Sequence, residues 1–347
     1  MSDVIPKVEE YLSRFERLSK SVAASYRVEA IAPQVFVIHP STEATGRRSS
    51  KPDKDVAITI SALIHGVEVA GLAVIVELLE LVTRGELIIE APLGIALGNV
   101  KAALAGVRFV ERDLNRSFGR DAAVLLEERR ADELEHLFTR SAYLLDIHQV
   151  KLKIDRPFWI FPYTKHGFQF ARAVAPDVSV ITHWGRGFSL DGQCSDEWVN
   201  GQGGAGVTIE LGQNGFDPVQ IERGVRVCSR SISLSTTGTF GHSLPKEVSV
   251  QTAPIYTWGE IIPYPNTGQP VLNPGWHNFR TVKAGEVLGM FNGSEIKASV
   301  SGPVLFPKYP DPRPDGTYAQ TPPAAELIRI LREITESELP NWGHPTD

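Results

Sequence analysis

The fold of this chain is decided by residues 55–82, which read DVAITISALIHGVEVAGLAVIVELLELV. The first seven residues have the apolar, β-branched composition of a short buried strand, and residues 68–82 carry apolar side chains at helical spacing. His65 therefore falls in a strand-to-helix loop, and Glu68 is predicted in the first helical turn, where both could reach one metal ion. A carboxylate is also favourable at a helix amino end, so the pair alone has a structural explanation as well.

Length, charge and cysteine content narrow the class of protein. A chain of 347 residues can form one large domain and a smaller one. The net charge of -6 leaves no basic surface, so we expect neither nucleic acid nor an anionic membrane as a partner. Residues 69–82 are too short an apolar run to span a bilayer, and residues 1–11 lack the apolar core of a signal peptide. The two cysteines, Cys194 and Cys228, build no disulfide framework, which favours a reducing, cytoplasmic setting.

Strands and helices are predicted to alternate through residues 1–243. A helix at 6–23, a hairpin at 28–31 and 35–38 and a loop at 42–55 precede the strand described above; a strand at 92–97, a charged helix at 121–140, strands at 141–150 and 157–161, and helices at 166–173 and 217–233 follow it. This order predicts an α/β catalytic domain with a mixed sheet and helices on both faces.

Residues 244–347 are predicted to form a smaller β-rich domain that ends in a helix. Residues 282–289 and 294–305 resemble the strands of biotinyl and lipoyl carriers, but residues 291–293 leave no room for the hairpin that presents a modified lysine. We therefore predict a structural role for these strands. A proline-rich loop at 309–323 and an amphipathic helix at 324–334 are expected to follow.

A second polar pair ends the predicted strand at 141–150. Asp146 and His148 are two residues apart, so they point to the same face of the strand. Ligands collect at the carboxyl ends of strands in open α/β sheets. We therefore expect His148 to reach a metal held by His65 and Glu68, with Asp146 orienting an imidazole.

Two further segments contain polar groups at unusual places. Residues 108–118 (RFVERDLNRSF) place charges between aromatic side chains, which indicates a pocket wall, although a surface loop of ion pairs also fits. Glu210 lies in a predicted buried strand at 207–212, where a carboxylate is costly unless it is paired or catalytic. The irregular segment 183–204 is expected to surround the site opening. The glycine run at 200–206 leads into a strand, unlike a phosphate loop, which opens a helix.

The order of these motifs resembles that of the succinylglutamate desuccinylase/aspartoacylase family, zinc hydrolases that share the core of the zinc carboxypeptidases. The motifs lie within residues 55–212, and residues 244–347 are similar only in their pattern of short strands. The resemblance implies a zinc-carboxypeptidase-like mixed sheet flanked by helices, with a smaller C-terminal β domain.

The resemblance also implies a metal centre and a base. His65, Glu68 and His148 correspond to the ligands of one Zn²⁺ per chain, and a fourth position is left for water. Glu210 matches the general base, which takes a proton from this water and passes it to the leaving nitrogen. Zinc lowers the pKa of the water and acts as a Lewis acid on the acyl oxygen.

Three more residues match the family's substrate contacts. Arg108 corresponds to the arginine that polarises the scissile carbonyl, and Asn115 and Arg116 correspond to the pair that binds the free carboxylate of the substrate. Asp113 would hold their loop. The implied reaction is hydrolysis of a small N-acyl amino acid, such as an acetyl or succinyl derivative.

The chain departs from the family at two places. Val67 stands where Asn or Asp is frequent, which changes the loop's hydrogen bonding without removing a ligand. Residues 193–206 lack the arginine that aspartoacylases use before the base to read a second acidic group, although Arg186 lies nearby. This absence favours a less acidic substrate, such as an acetylated diamino acid.

Two other functions remain open from the sequence. A metallocarboxypeptidase would share the ligands and the carboxylate contacts, and a non-catalytic binding protein could keep the fold. A serine or cysteine hydrolase fits poorly, because no Gly-x-Ser-x-Gly elbow occurs and Cys194 has no candidate base beyond His183. The acyl group, the metal loaded in the cell and assembly into a homo-oligomer are left open.

Overall fold

A twelve-stranded mixed sheet organises the molecule. The computed structural model describes residues 4–40, 54–154, 156–189, 191–237, 253–265, 268–309 and 326–341. Its helices are α1 (Val4–Val22), α2 (Ala70–Thr83), α3 (Val100–Ala105), α4 (Leu126–Phe138), α5 (Lys165–Val174), α6 (Ser195–Gly201) and α7 (Pro218–Thr237). Its strands are β1 (Arg27–Ala32), β2 (Val35–His39), β3 (Val56–Ala62), β4 (Leu93–Leu97), β5 (Ser141–Val150), β6 (Phe158–Pro162), β7 (Ser179–His183), β8 (Ala205–Gln213), β9 (Ile255–Pro263), β10 (Val271–Leu272), β11 (Thr281–Val282), β12 (Val287–Phe291), β13 (Ser294–Lys297), β14 (Gly302–Leu305) and β15 (Glu326–Ile334).

The centre of the sheet is parallel and buried on both faces. Strands run in the order β1-β2-β4-β3-β5-β8-β6-β7-β9-β15-β14-β11. β4, β3, β5 and β8 are mutually parallel, and every residue of β3 and β5 is buried, because helices cover both faces. The carboxyl ends of β3, β5 and β8 consequently meet at one edge, where parallel pairing places His148 beside Glu210.

The alternation predicted from the sequence is confirmed, with several local differences, among them α3 and β7, which lie where no element was predicted. Helix α2 begins at Ala70, so Glu68 lies in the preceding loop rather than in the first turn. The backbone N–H of Ala70 donates to the Gln149 side chain at 3.0 Å, so a neighbouring strand fixes where this helix begins. The predicted helix at 121–140 is shorter, and the irregular segment 183–204 contains α6.

The predicted final helix at 324–334 is wrong, because its described part is strand β15. This strand pairs antiparallel with β9 from Glu326 opposite Pro263 to Ile334 opposite Ile255. Residues 327–331 are all buried, since both faces of the strand are covered. Apolar residues on both faces produce spacings that also fit a helix, and pairing with β9 together with the β-branched isoleucines decides the outcome.

The C-terminal strands continue the main sheet. β9 pairs parallel with β7, and β15, β14 and β11 follow it outward. β10, β12 and β13 form a separate three-stranded sheet over a core that includes Leu272, Trp276 and Leu288. The predicted boundary at 243/244 lies outside the described residues, as do most of the loops at 42–55 and 309–323, so the two-domain division stays a prediction. Among the described helices, none combines the length and apolarity that a membrane span requires.

Candidate metal centre and active site

The loop after β3 positions His65 tightly. Leu63 begins the loop at a φ of 59°, a conformation that is uncommon for a bulky side chain. Its carbonyl accepts a hydrogen bond from the Asn99 backbone at 2.6 Å, and Gly66 donates to the Arg108 carbonyl at 3.0 Å. A Cβ atom on Gly66 would lie 2.4 Å from the Ala102 backbone, so only glycine fits where this loop passes helix α3.

Three predicted ligands meet beside this loop, two from the loop itself and His148 from β5. Nδ1 of His65 lies 2.8 Å from Oε1 of Glu68, and Nδ1 of His148 lies 2.8 Å from Oε2 of the same carboxylate. All three ligand atoms lie within 4.8 Å of one another, and each residue is only 3% exposed. Two distant segments, residues 65–68 and the end of β5, therefore build one buried group that could hold a metal ion.

Carboxylates hold the far nitrogen of each imidazole. Nε2 of His148 lies 3.0 Å from Oδ2 of Asp146, as the sequence predicted, and Nε2 of His65 lies 3.0 Å from Oδ1 of Asp113. Asp146 is fully buried and also accepts a hydrogen bond from the Ser195 hydroxyl. Carboxylates in this position orient metal-binding imidazoles and raise their basicity, so the arrangement fits a divalent cation facing the two Nδ1 atoms.

The charges of this group depend on one another. Burial alone would raise the pKa of Glu68, but His65 and His148 lower it overall. Burial alone would lower the pKa of His148, but Asp146 and Glu68 raise it well above its usual value. A metal ion competes with protons for the same lone pairs. The protons that His65 and His148 share with Glu68 could therefore be replaced by one cation.

Glu210 stands beside this group on β8. Its side chain is 7% exposed, and its Oε2 atom has no hydrogen-bond partner among the residues that the structure describes. Burial and the nearby Glu68 charge raise the pKa of Glu210 to about 8. A raised pKa together with an unpaired buried oxygen marks Glu210 as a candidate functional residue.

Arg108 contacts two members of the ligand group, His65 and Glu68. Its Nη2 atom lies 2.6 Å from Nε2 of His65, and its Nη1 atom donates to Oε1 of Glu68 at 3.3 Å. Asp113 accepts from Arg108 at 3.2 Å, so this carboxylate joins the arginine to the His65 ring. The Arg108 side chain remains 45% exposed, which leaves its guanidinium accessible to a ligand.

Asn115 and Arg116 form a short 3₁₀ turn, Leu114–Arg116, next to α6. The Asp113 side chain caps this turn by accepting from the Asn115 backbone at 2.9 Å, so it does hold the loop. Oδ1 of Asn115 accepts from the Ser195 backbone at 2.9 Å. Nη1 of Arg116 contacts the Asn115 carbonyl at 2.5 Å and Sγ of Cys194 at 3.1 Å.

Sequence reasoning missed several supporting residues. It did not connect Asp113 to His65, and it assigned no role to Gln149, whose backbone N–H donates to Oε2 of Glu68 at 3.2 Å. Gln149 directly follows His148, which is the one signal that could have drawn attention to it. Glu127 is buried although it lies in the predicted charged helix, and Arg329 lies in the segment whose predicted helix is a strand. Arg186 is exposed, and its side chain has no described contact with the ligand group.

Comparison with known proteins places this arrangement among deacylases. The succinylglutamate desuccinylase of Serratia proteamaculans is 26% identical over 283 residues, which cover 77% of this chain and 84% of that protein. The solved succinylglutamate desuccinylase of Vibrio parahaemolyticus has the same fold, with a TM-score of 0.64 and 17% identity over 87% of this chain and 86% of that one. Murine aminoacylase 3 has a TM-score of 0.59 and 17% identity over 82% of this chain and 98% of its own. The solved relatives share the fold of this chain, and the proteins named here are described as desuccinylases and an aminoacylase.

The family assignment rests on residues 54–234. A family model described as the succinylglutamate desuccinylase/aspartoacylase catalytic domain matches residues 54–234. This range covers more than half of the chain and includes the ligand group, Glu210, Arg108, Asn115 and Arg116. The chain belongs to the succinylglutamate desuccinylase/aspartoacylase family, as the motif order predicted.

Proposed function

We propose that this protein is a zinc-dependent amidohydrolase that cleaves the amide bond of a small N-acyl amino acid. The observation that carries the proposal is the convergence of His65, Glu68 and His148 beside an unpaired, buried Glu210. A ligand set of two imidazoles and one carboxylate is typical of catalytic zinc, which keeps a fourth position open. Zinc bound there supplies a Lewis acid for the acyl oxygen and lowers the pKa of a water molecule.

Glu210 acts as the general base in this proposal. It accepts a proton from the attacking water and delivers it to the leaving nitrogen, which needs a carboxyl group that changes protonation near neutral pH. Burial favours the protonated form of Glu210, and an adjacent positive charge favours the ionised form. This balance suits a group that both accepts and donates a proton during one turnover.

Arg108, Asn115 and Arg116 bind the substrate. Arg108 reaches over the ligand group with a half-exposed guanidinium, so it can donate to the oxygen that becomes negative in the transition state. Arg116 offers the bidentate fork that matches a carboxylate, and Asn115 is fixed beside it by α6. Residues 108–116, which we call the arm, carry these three side chains, and Asp113 holds the arm against the His65 ring.

The substrate is a small molecule, and its exact identity is left to experiment. The relatives named above are desuccinylases and an aminoacylase, whereas the missing arginine in residues 193–206 favours a less acidic substrate. We propose a cytoplasmic enzyme, on the basis of the two unpaired cysteines, and assembly into a homo-oligomer stays open.

One experiment tests the proposal. Purified protein is analysed for metal and then assayed against N-acetyl and N-succinyl amino acids with acidic, neutral and basic side chains, and against C-terminal dipeptides. We expect about one zinc per chain and turnover of an N-acyl amino acid that a chelator abolishes and zinc restores. A His65→Ala variant should lose the metal, whereas His136→Ala, which changes an exposed histidine on α4, should keep it.

The other outcomes separate the alternatives. Preference for dipeptides would replace the proposal with a metallocarboxypeptidase. Metal binding with substrate binding but no turnover would indicate a non-catalytic protein. Full activity in a metal-free preparation would refute zinc dependence.

A further inference from the structure

A buried arginine from the C-terminal strand β15 reaches the substrate side of the site. Arg329 is 2% exposed, and its guanidinium lies over two aromatic rings, 4.1 Å from the centre of Phe188 and 4.4 Å from that of Trp258. Phe188 belongs to the segment between β7 and α6, and it lies 141 positions from Arg329 in the chain. The contact therefore joins the C-terminal strands to the segment between β7 and α6.

The hydrogen bonds of Arg329 are few for a buried cation. Its Nη2 atom donates to the Phe188 carbonyl at 3.0 Å and lies 3.3 Å from Oε2 of Glu326. Its Nε and Nη1 atoms have no partner in the described part of the chain. Unsatisfied buried donors cost stability, and an apolar side chain between two rings would avoid that cost. Stability alone therefore does not account for an arginine at this position.

Both backbone polar groups of Phe188, its N–H and its carbonyl, form hydrogen bonds. Its N–H donates to Oε1 of Glu197 on α6 at 2.5 Å, and its carbonyl accepts from Arg329. The ring of Phe188 also contacts the guanidinium of Arg116, which lies 5.3 Å from the ring centre. One aromatic ring thus lies against both the buried arginine of β15 and the arginine proposed to bind the substrate.

We infer that Arg329 is a positioning residue for substrate binding, which acts by fixing Phe188 so that its ring supports the Arg116 guanidinium. The inference rests on the proposed function in so far as Arg116 binds the substrate carboxylate. An arginine side chain has many rotamers, and ordering them in advance improves binding, because less freedom is lost when the carboxylate arrives. Loss of Arg329 should therefore weaken substrate binding and leave the proton transfer at Glu210 intact.

The first test compares two arginines of the same strand. Arg329→Met keeps an unbranched side chain between the rings but removes the charge and the hydrogen bond to Phe188. We expect KM for the best substrate of the panel to rise roughly tenfold, with kcat within about twofold of the parent. The matched control is Arg332→Met, which changes a half-exposed arginine three positions along β15 and should leave both constants unchanged.

Two further variants test the route through Phe188. Arg329→Lys keeps a cation near the rings but not the guanidinium fork, so its KM should lie between those of the parent and Arg329→Met. Phe188→Leu should raise KM by itself. If both residues act through the same contact, the double variant should raise KM little more than either single change, whereas independent effects would multiply.

A thiol measurement tests the inference without any substrate. Sγ of Cys194 lies 3.1 Å from Nη1 of Arg116, and the second cysteine, Cys228, is a fully buried residue of α7. Mass spectrometry can follow the reaction of iodoacetamide with each cysteine in the metal-loaded protein. Arg329→Met should speed the reaction at Cys194 severalfold and leave that at Cys228 unchanged, because only the surroundings of Arg116 are loosened.

The contradicting results are distinct. Equal KM values in Arg329→Met and Arg332→Met would overturn the inference. Equal acceleration at both cysteines, together with a fall in kcat, would show a general structural role and would overturn it too. If no N-acyl amino acid is turned over, the proposed function fails, and the thiol rates alone decide the inference: selective acceleration at Cys194 supports it, and its absence refutes it.

Discussion

At the scale of single residues, Glu210 combines a costly burial with a proposed role in proton transfer. Its buried carboxyl group has a raised pKa and an oxygen without a partner among the described residues. We expect Glu210→Gln to lower kcat by about a thousandfold, because the amide cannot accept a proton. Above about pH 8, where the carboxyl group of the parent is ionised, the thermal midpoint of the variant should equal or exceed that of the parent, because the amide carries no charge. Kinetics, metal analysis and thermal unfolding check this.

The metal content is the control for this change. Glu210 is not among the three proposed ligands, so Glu210→Gln should retain the parent's zinc. Activity within a few-fold of the parent would remove Glu210 from the mechanism. Loss of zinc would show instead that Glu210 serves the metal.

Asp196 makes stability depend on pH. It lies in α6 and accepts from the Thr208 hydroxyl at 2.9 Å. Burial, together with the charge of Glu197, raises the pKa of Asp196 to about 7. The folded state thus keeps this proton up to about pH 7, whereas the unfolded chain releases it near pH 4. The contribution of Asp196 to stability therefore falls as pH rises through this window.

Asp196→Asn should remove that dependence. Relative to the parent, we expect the free energy of unfolding of the variant to increase by about 3 kcal/mol between pH 4 and pH 8. Urea unfolding at several pH values measures the difference. Asp177→Asn, at an exposed aspartate, should show no such trend, and a constant difference for Asp196→Asn would contradict the assignment.

Prediction from sequence worked well for the residues that carry chemistry. His65, Glu68 and His148 could be singled out because histidine and carboxylate at strand ends are chemically conspicuous, and the structure brings them together. Their neighbours were harder to find. Asp113 orients His65 through a contact 48 positions away in the chain, and no local pattern encodes such a distance.

At the scale of elements, a single glutamate of α4 holds the arm that carries Arg108 and Arg116. Glu127 is completely buried and accepts hydrogen bonds from the backbone N–H groups of residues 110–112, at 2.7, 3.1 and 3.0 Å. It also accepts from the Asn99 amide at 2.9 Å. The arm has almost no regular structure, so this carboxylate takes the place of a strand partner.

Replacing Glu127 should therefore damage both stability and binding. We expect Glu127→Ala to lower the free energy of unfolding by about 3 kcal/mol, because buried donors lose their acceptor. KM should rise as the arm loosens. Denaturant unfolding and kinetics measure the two effects, with Asp132→Ala, an exposed acid on the same helix, as the neutral control. Equal stabilities of the two variants would refute this role.

The pairing of the strands also explains why a helix was wrongly predicted where β15 lies. Residues 327–331 are apolar or buried on both faces of the strand, and this pattern does not separate a strand from a helix. The partner that decides the matter, β9, lies more than 60 positions earlier in the chain. β3 and β5 were easier to predict, because short apolar runs between turns have few alternatives in an α/β pattern.

At the scale of the whole molecule, the sheet passes from the catalytic region into the C-terminal strands without a gap in its pairing. β7 pairs with β9, and residues of both regions, including Phe158, Ile181, Tyr256 and Leu331, share one hydrophobic cluster. The proposed division near residue 243 thus separates an α/β segment from a β-rich segment, and strand pairing joins the two.

This continuity predicts cooperative unfolding. Calorimetry of the zinc-loaded protein should show one transition, with equal calorimetric and van't Hoff enthalpies, because opening either region would expose the cluster that both share. Two resolved transitions would show instead that the regions unfold as independent domains.

The sequence by itself determined the α/β alternation, the family and the residues proposed for metal binding and proton transfer, since each depends on residue type and local spacing. Only the tertiary structure decided that residues 326–334 form a strand, that Glu127 holds the arm, that Asp113 contacts His65, and that Arg329 reaches Phe188. The physical reason is that these outcomes depend on contacts between residues far apart in the chain. Their energies come from burial and pairing with partners that no local pattern names.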